Sequence, residues 1–220
     1  MHPDTLGCLV PAIWRCARRN RKMVKALLSF LSVILVSPFF LSWRAYHAWT
    51  GREALFVTYS QLLSLIPGKI GVYLRRAYYS MALNGCARDV NVGFGTTFSH
   101  PTVKIGQRVY IGSGCTIGMV DIAPGVMIGS NVDILSGRRQ HIRGAENRLS
   151  DSSEGMFERI AIGENSWIGN SAVIMARVGS NCAVGAGTVV VNPVPDGQTV
   201  VGNPARAIHR AELTDSFMAR

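Results

Sequence analysis

From Val92 onward an aliphatic residue recurs every six positions, usually with Gly or another small residue directly after it. The series runs Ile105-Gly106, Ile111-Gly112, Ile117-Gly118, Ile122-Ala123, Ile128-Gly129 and Ile134. It resumes as Ile162-Gly163, Ile168-Gly169, Ile174, Val178-Gly179, Val184-Gly185 and Val190. A strand has a side-chain period of two and a helix one of 3.6, so neither yields a period of six. A chain that turns three times per coil does. Each hexad is then one flat face, its aliphatic residue fills the axis, and the small residue fits where the chain turns. The fifth place of each hexad is small or β-branched (Val109, Cys115, Val126, Val132, Ser166, Ala172, Cys182, Thr188), which makes Cys115 and Cys182 inward fillers rather than nucleophiles. With the interruption 138–159 set aside, 92–191 holds a little over four coils of about 18 residues. Such a stack has two open ends, which the segment before it and the tail Pro193–Arg210 are expected to cap.

The N-terminal third is different in kind. Residues 26–43 contain no charge and follow Arg15, Arg18, Arg19, Arg21, Lys22 and Lys25. As a helix, 18 residues span about 27 Å, just short of a hydrocarbon core of roughly 30 Å. Pro38 and four serines dilute the run, so a spanning helix and a re-entrant or interfacial hairpin both remain open. Apolar character continues through Ala54–Ile66, breaks at Pro67-Gly68, and resumes over Lys69–Leu83. There Ile70, Tyr73, Leu74, Ala77, Tyr78 and Met81 recur at helical spacing, with Arg75 and Arg76 on another face. This amphipathic helix either packs on the repeat or lies among headgroups with its arginines on phosphates.

Charge follows the same division: residues 1–89 carry 12 Lys or Arg against 3 Asp or Glu, residues 90–220 carry 11 against 10. A nearly neutral repeat lacks the basic stripe that nucleic acid requires, so no nucleic-acid partner is expected. Instead the basic, apolar start points to membrane lipids. Five cysteines without a CxxC pair, and no His at metal spacing, suggest neither a disulfide framework nor a metal site.

The run from Val92 to about Arg210, and above all Ile162–Ile208 with its closing Gly-Asn-Pro-Ala-Arg, resembles the hexapeptide-repeat acyltransferases, and among them the sugar O-acetyltransferases. The resemblance implies an all-β unit, a left-handed parallel β-helix over 90–210 with an extruded loop 138–159. N-terminal membrane-associated α-helices would precede it (1–89) and a short tail follow it (211–220). It further implies an acetyl-CoA-dependent O-acetyltransferase, a homotrimer with its active sites between neighbouring β-helices, and a sugar, polysaccharide precursor or lipid-linked glycan as acceptor. A basic membrane segment together with cytosolic acetyl-CoA places it on the inner membrane, facing the cytoplasm. The competing readings are a non-catalytic β-helix scaffold, an N-acyltransferase of an amino sugar, and transfer of a longer acyl group. A γ-type carbonic anhydrase needs three ligand histidines that the repeat does not supply. Serine acetyltransferase is disfavoured, because its N-terminal domain is soluble and acidic.

By the same resemblance a histidine near the extruded loop is the general base, and His141 in Ser-Gly-Arg-Arg-Gln-His matches it. Acetyl transfer to a hydroxyl needs a base of near-neutral pKa, which suits histidine. His2 and His47 lie in the N-terminal segment and His209 in the tail, so His100 is the second candidate, as base neighbour or substrate contact. Glu154 and Asp133 are candidates to orient the histidine or bind a sugar hydroxyl. For acetyl-CoA the resemblance points to Trp167, Gly169, Gly185, Ala186, Gly187 and Arg206. Trp167 could equally be interface packing, and Arg206 a tail cap.

Overall fold

The computed structural model describes residues 4–137 and 157–208, and side chains from residue 23 onward within them. Three helices come first: α1 (Asp4–Thr50), α2 (Ala54–Ser64) and α3 (Gly68–Ala82). Among the described residues sixteen short strands follow, three to a coil in the first four coils. The first coil holds β1 (Gly85–Cys86), β2 (Asn91–Val92) and β3 (Thr97–Phe98), and the second β4 (Lys104–Ile105), β5 (Tyr110–Ile111) and β6 (Thr116–Ile117). The third holds β7 (Val120–Ile122), β8 (Met127–Ile128) and β9 (Asp133–Ile134), and the fourth β10 (Ile160–Ile162), β11 (Trp167–Ile168) and β12 (Val173–Ile174). The fifth runs from a bridge at Val178 through β13 (Ala183–Val184) and β14 (Val189–Val190). A sixth begins with a bridge at Val194 and β15 (Thr199–Val201), after which β16 (Arg206–Ile208) folds back antiparallel on β15.

Strands stack in parallel on three faces. Face one is β1-β4-β7-β10, face two β2-β5-β8-β11-β13-β15 with β16 at its edge, and face three β3-β6-β9-β12-β14. Register is strict: Ile111 sits over Ile128, Ile128 over Ile168, and Ile168 over Val184. The repeating aliphatics are buried along the axis, and the small fifth-place residues are buried beside them. The glycine after each aliphatic is dictated by stacking. A Cβ on Gly112 would lie 2.4 Å from the Gly129 carbonyl oxygen of the next coil. Five full coils and part of a sixth exceed the four expected. The first begins at Gly85, ahead of the expected boundary at 90, directly after α3, and Val194–Val201 still coils rather than capping.

α2 and α3 close the upstream end. Tyr79 is fully buried against Phe98, with ring centroids 4.4 Å apart, and shares a hydrogen bond with the Ser60 hydroxyl. That hydroxyl also accepts the Phe98 N–H at 2.8 Å, satisfying the open edge of face three. Of the two expectations for α3, packing on the repeat holds for Arg75. Rather than facing phosphates it is fully buried and donates to the carbonyls of Leu63, Ser64 and Ile66 at the end of α2, and to that of Val92 in the first coil. A cation on orphan helix-terminal carbonyls is favourable where the dipole is negative. Burial pulls its pKa below the usual guanidinium value, partly countered by Tyr79.

α1 is one continuous helix through Pro38, so the chain does not form the hairpin that a break there would make. Its second half packs on the other two helices: Val36 and Trp43 are buried, Trp43 lies on Phe56, and Phe39 on Tyr59. Residues Met23–Thr50 form a helix long and apolar enough to cross a membrane by length and composition.

Candidate active site

Two corners of the coil gather the candidate residues. At the corner from face three to face one, the third coil leaves at Gly137 and the chain is described again from Phe157. His141 and Glu154 fall between, outside the described residues. The opening is pinned on both sides. The Ser136 hydroxyl accepts the Met119 N–H at 2.9 Å, and the Glu158 N–H donates to the Ser136 carbonyl at 3.0 Å. Arg159 donates to the Thr102 carbonyl and to the Asp121 carboxylate, each at 2.8 Å, tying three coils together. Glu158 and Arg159 are thus bonded into the coil corner.

His100 stands at this same corner, between β3 and β4. Its Nδ1–H donates to Glu53 Oε2 at 2.9 Å, and its ring meets Phe157 edge-on at 5.7 Å. A carboxylate on Nδ1 fixes the tautomer and leaves Nε2 available. Glu53 occupies the N-cap position of α2 but makes no side-chain cap there. Sequence reasoning missed Glu53, because only the fold returns the α1–α2 connection to a coil corner 47 residues away. Asp133 lies on the outer side of face three, half-buried, in register between Thr116 and Val173.

The second corner, from face two to face three, holds Gly169 in the fourth coil and Gly185, Ala186 and Gly187 in the fifth. The Gly187 N–H donates to the Asn170 carbonyl at 2.8 Å, which stacks the two turns. Gly169 is bare because a Cβ there would lie 2.5 Å from the Ala186 nitrogen. Gly187 has open space around it but a φ of +68°. Among the described residues the backbone N–H groups of Asn170 and Ala186 donate no hydrogen bond, so this corner carries two uncommitted donors. Trp167 lies on the outer side of face two in an exposed stripe with Met127 and Tyr110. Arg206 sits in β16 at the end of face two, opposite Val201, and donates to its neighbour's carbonyl at Ala205.

Cys86 and Cys115 are not activated as nucleophiles. Burial pushes Cys86 up to about 12 and raises Cys115, whose Sγ–H points at the Gly129 carbonyl of the next coil.

The hexapeptide repeat of succinyl-transferase matches residues 102–137 and 159–191, the segments on either side of the loop. A serine acetyltransferase from Bacillus licheniformis is 30% identical over 159 residues, covering 70% of this chain and 67% of that protein. The chain belongs to the hexapeptide-repeat acyltransferases. The galactoside O-acetyltransferase of Escherichia coli is 31% identical over 119 residues, 51% of this chain and 55% of its own length. A solved galactoside acetyltransferase in complex with coenzyme A superimposes with a TM-score of 0.61 at 25% identity, covering 74% of this chain and 82% of that one. The fold is thus the left-handed parallel β-helix of the family. The chain spans about half the length of several curated relatives it matches.

Proposed function

We propose that the protein is an acetyl-CoA-dependent O-acetyltransferase that works at the membrane surface on a sugar hydroxyl of a polysaccharide precursor or lipid-linked glycan. The observation that carries this reading is the separation of the two corners. The coenzyme candidates and the histidine corner lie at opposite edges of face three, roughly 15 Å apart at about 3.3 Å per residue. A cleft between two copies brings the two corners together without the thioester having to cross that face. In the homotrimer that hexapeptide-repeat acetyltransferases generally form, each coenzyme corner faces the loop corner of its neighbour.

In that cleft His141 takes the proton of the acceptor hydroxyl as its oxygen attacks the acetyl carbonyl carbon. The carbonyl oxygen gains charge and is met by backbone donors, for which the uncommitted N–H groups of Asn170 and Ala186 are suited. The C–S bond then breaks, and the CoA thiolate recovers the proton from the imidazolium. His100, held by Glu53, lines the acceptor side.

Membrane action rests on α1, whose outward side exposes Leu27, Phe30, Leu31, Ile34 and Leu35. A monotopic placement is favoured over spanning. α1 packs on α3 through Arg76 and Ser29 and on α2 through Trp43, and those helices carry the first coil. Helix axes pack 8–10 Å apart, so a spanning α1 would draw the coil stack into hydrocarbon. Lying along the cytoplasmic leaflet, α1 buries its apolar side and keeps the β-helix in water.

The test is CoA release by the full-length protein in detergent, against a panel of free sugars, nucleotide-sugars, lipid-linked saccharides and L-serine. Turnover with a saccharide supports the reading. Turnover with serine alone would replace the acceptor, a result to which the long serine acetyltransferase match gives weight. A stable, active monomer would overturn the shared cleft.

A further inference from the structure

We propose that the groove between α1 and α3 binds the phosphate headgroup of an anionic phospholipid, with Arg76 and Arg88 as its phosphate ligands. The inference rests on the membrane placement of α1 above and adds a defined site to it. The groove has a volume of about 450 Å³. Phe30, Val33 and Met81 make it apolar, and Arg76 and Arg88 supply two cations; among the described residues no carboxylate lines it, Asp89 being near enough to act on the lining Cys86 thiol. Arg76 is held in place: its guanidinium lies 4.7 Å from the Tyr73 ring centroid and donates to Ser29 Oγ at 2.6 Å. An arginine so fixed loses little further freedom on meeting an anion, and its remaining N–H groups form a fork that matches phosphate. Arg88, in the first coil, is exposed and has no ion pair among the described residues.

The chemistry continues on the other side of Tyr73. A second hollow of about 700 Å³ places Lys25 and Lys69 among Val24, Leu28 and Ile70, again without a carboxylate. Four cations thus flank an apolar seam between two helices. An inorganic anion would use the cations and leave the seam unfilled. A lipid without net charge would fill the seam and leave the excess positive charge of the site uncompensated. A phospholipid of net negative charge satisfies both, and the exposed apolar side of α1 reaches the leaflet that supplies it.

The experiment uses full-length protein and phosphatidylglycerol as probe, compared with phosphatidylcholine, by native mass spectrometry of detergent-released complexes and by flotation with vesicles of each lipid. A bound phosphatidylglycerol is expected, with affinity about tenfold lower in Arg76→Gln and in Arg88→Gln and restored in part by Arg76→Lys. Inorganic phosphate in large excess is expected not to displace it. Equal binding of phosphatidylcholine, retention of phosphatidylglycerol by the double Gln variant, or displacement by inorganic phosphate would each overturn the proposal, the last by identifying a soluble-phosphate site. Arg88 is exposed, so Arg88→Gln remains informative if Arg76→Gln fails to fold. CoA release in detergent, read separately, distinguishes failure of this site from failure of the transferase reading.

Discussion

Glu53, the residue that opens α2, accepts a hydrogen bond from His100 Nδ1 at 2.9 Å, so the helical cap reaches the corner from which the loop departs. If His141 is the base and this pair lines the acceptor, His141→Ala lowers turnover by about 10²–10⁴-fold, and His100→Ala and Glu53→Ala lower it less. Acetyl-CoA affinity is unchanged in all three. Glu53→Ala and His100→Ala are expected to be non-additive, since each removes the same hydrogen bond. Turnover should rise with pH through the histidine range, about 6.5, and lose that limb in His141→Ala. Steady-state kinetics with a competent acceptor decide it. Near-normal turnover in His141→Ala beside an inactive His100→Ala would move the base to His100.

Arg75→Ala would leave the carbonyls of Leu63, Ile66 and Val92 buried without their donor and open a cavity beneath the cap. A loss of about 3 kcal/mol or more is expected. Arg75→Met restores the volume but not the hydrogen bonds, so it should recover only part of the loss. Chemical denaturation in detergent measures both.

Two glycine substitutions should separate coil stacking from backbone strain. Gly112→Ala forces a Cβ to within 2.4 Å of the Gly129 carbonyl oxygen, whereas Gly187→Ala meets nothing within 4 Å and suffers only from its φ of +68°. The first should cost several kcal/mol or prevent folding, the second about 1 kcal/mol. Thermal unfolding of the two variants ranks them.

Removing residues 1–50 would strip Trp43 and Val36 from the aromatic cluster of Phe56, Tyr59 and Tyr78. Aggregation is expected, which light scattering of the truncated protein would record. Replacing Leu31, Ile34 and Leu35 by Gln alters only exposed positions of α1. It should shift the protein from the membrane fraction to the soluble one with its fold intact, as circular dichroism and fractionation would record.

Cys86 and Cys115 should resist alkylation at pH 8. Burial holds the Cys86 thiol near 12 and raises Cys115, so little thiolate exists at that pH. Peptide mapping after iodoacetamide treatment reads each cysteine separately, and modification of Cys115 in folded protein would contradict its inward position.

The β-helix was legible because its signal is redundant: every hexad repeats the same inward aliphatic, and one irregular hexad does not erase the pattern. Gly85 is not legible as a strand, because a two-residue strand has no periodicity of its own and only pairing with Lys104 makes it one. For a related reason the sequence leaves Arg75 between packing on the repeat and facing phosphates. Helical spacing places it off the apolar stripe, but its buried surroundings are four carbonyls from α2 and the first coil, which no pattern within α3 encodes. Glu53 and His100 show the same limit, since neither lies in a motif that names the other. The role given to His141, by contrast, rests on resemblance alone, and spacing contributes nothing to it.

Ser136 and Arg159 fasten both lips of the opening to coils that are complete without what lies between them. Rung alignment above and below therefore rests on bonds made outside 138–156. Evolution is thus expected to be able to rewrite that segment without moving a rung.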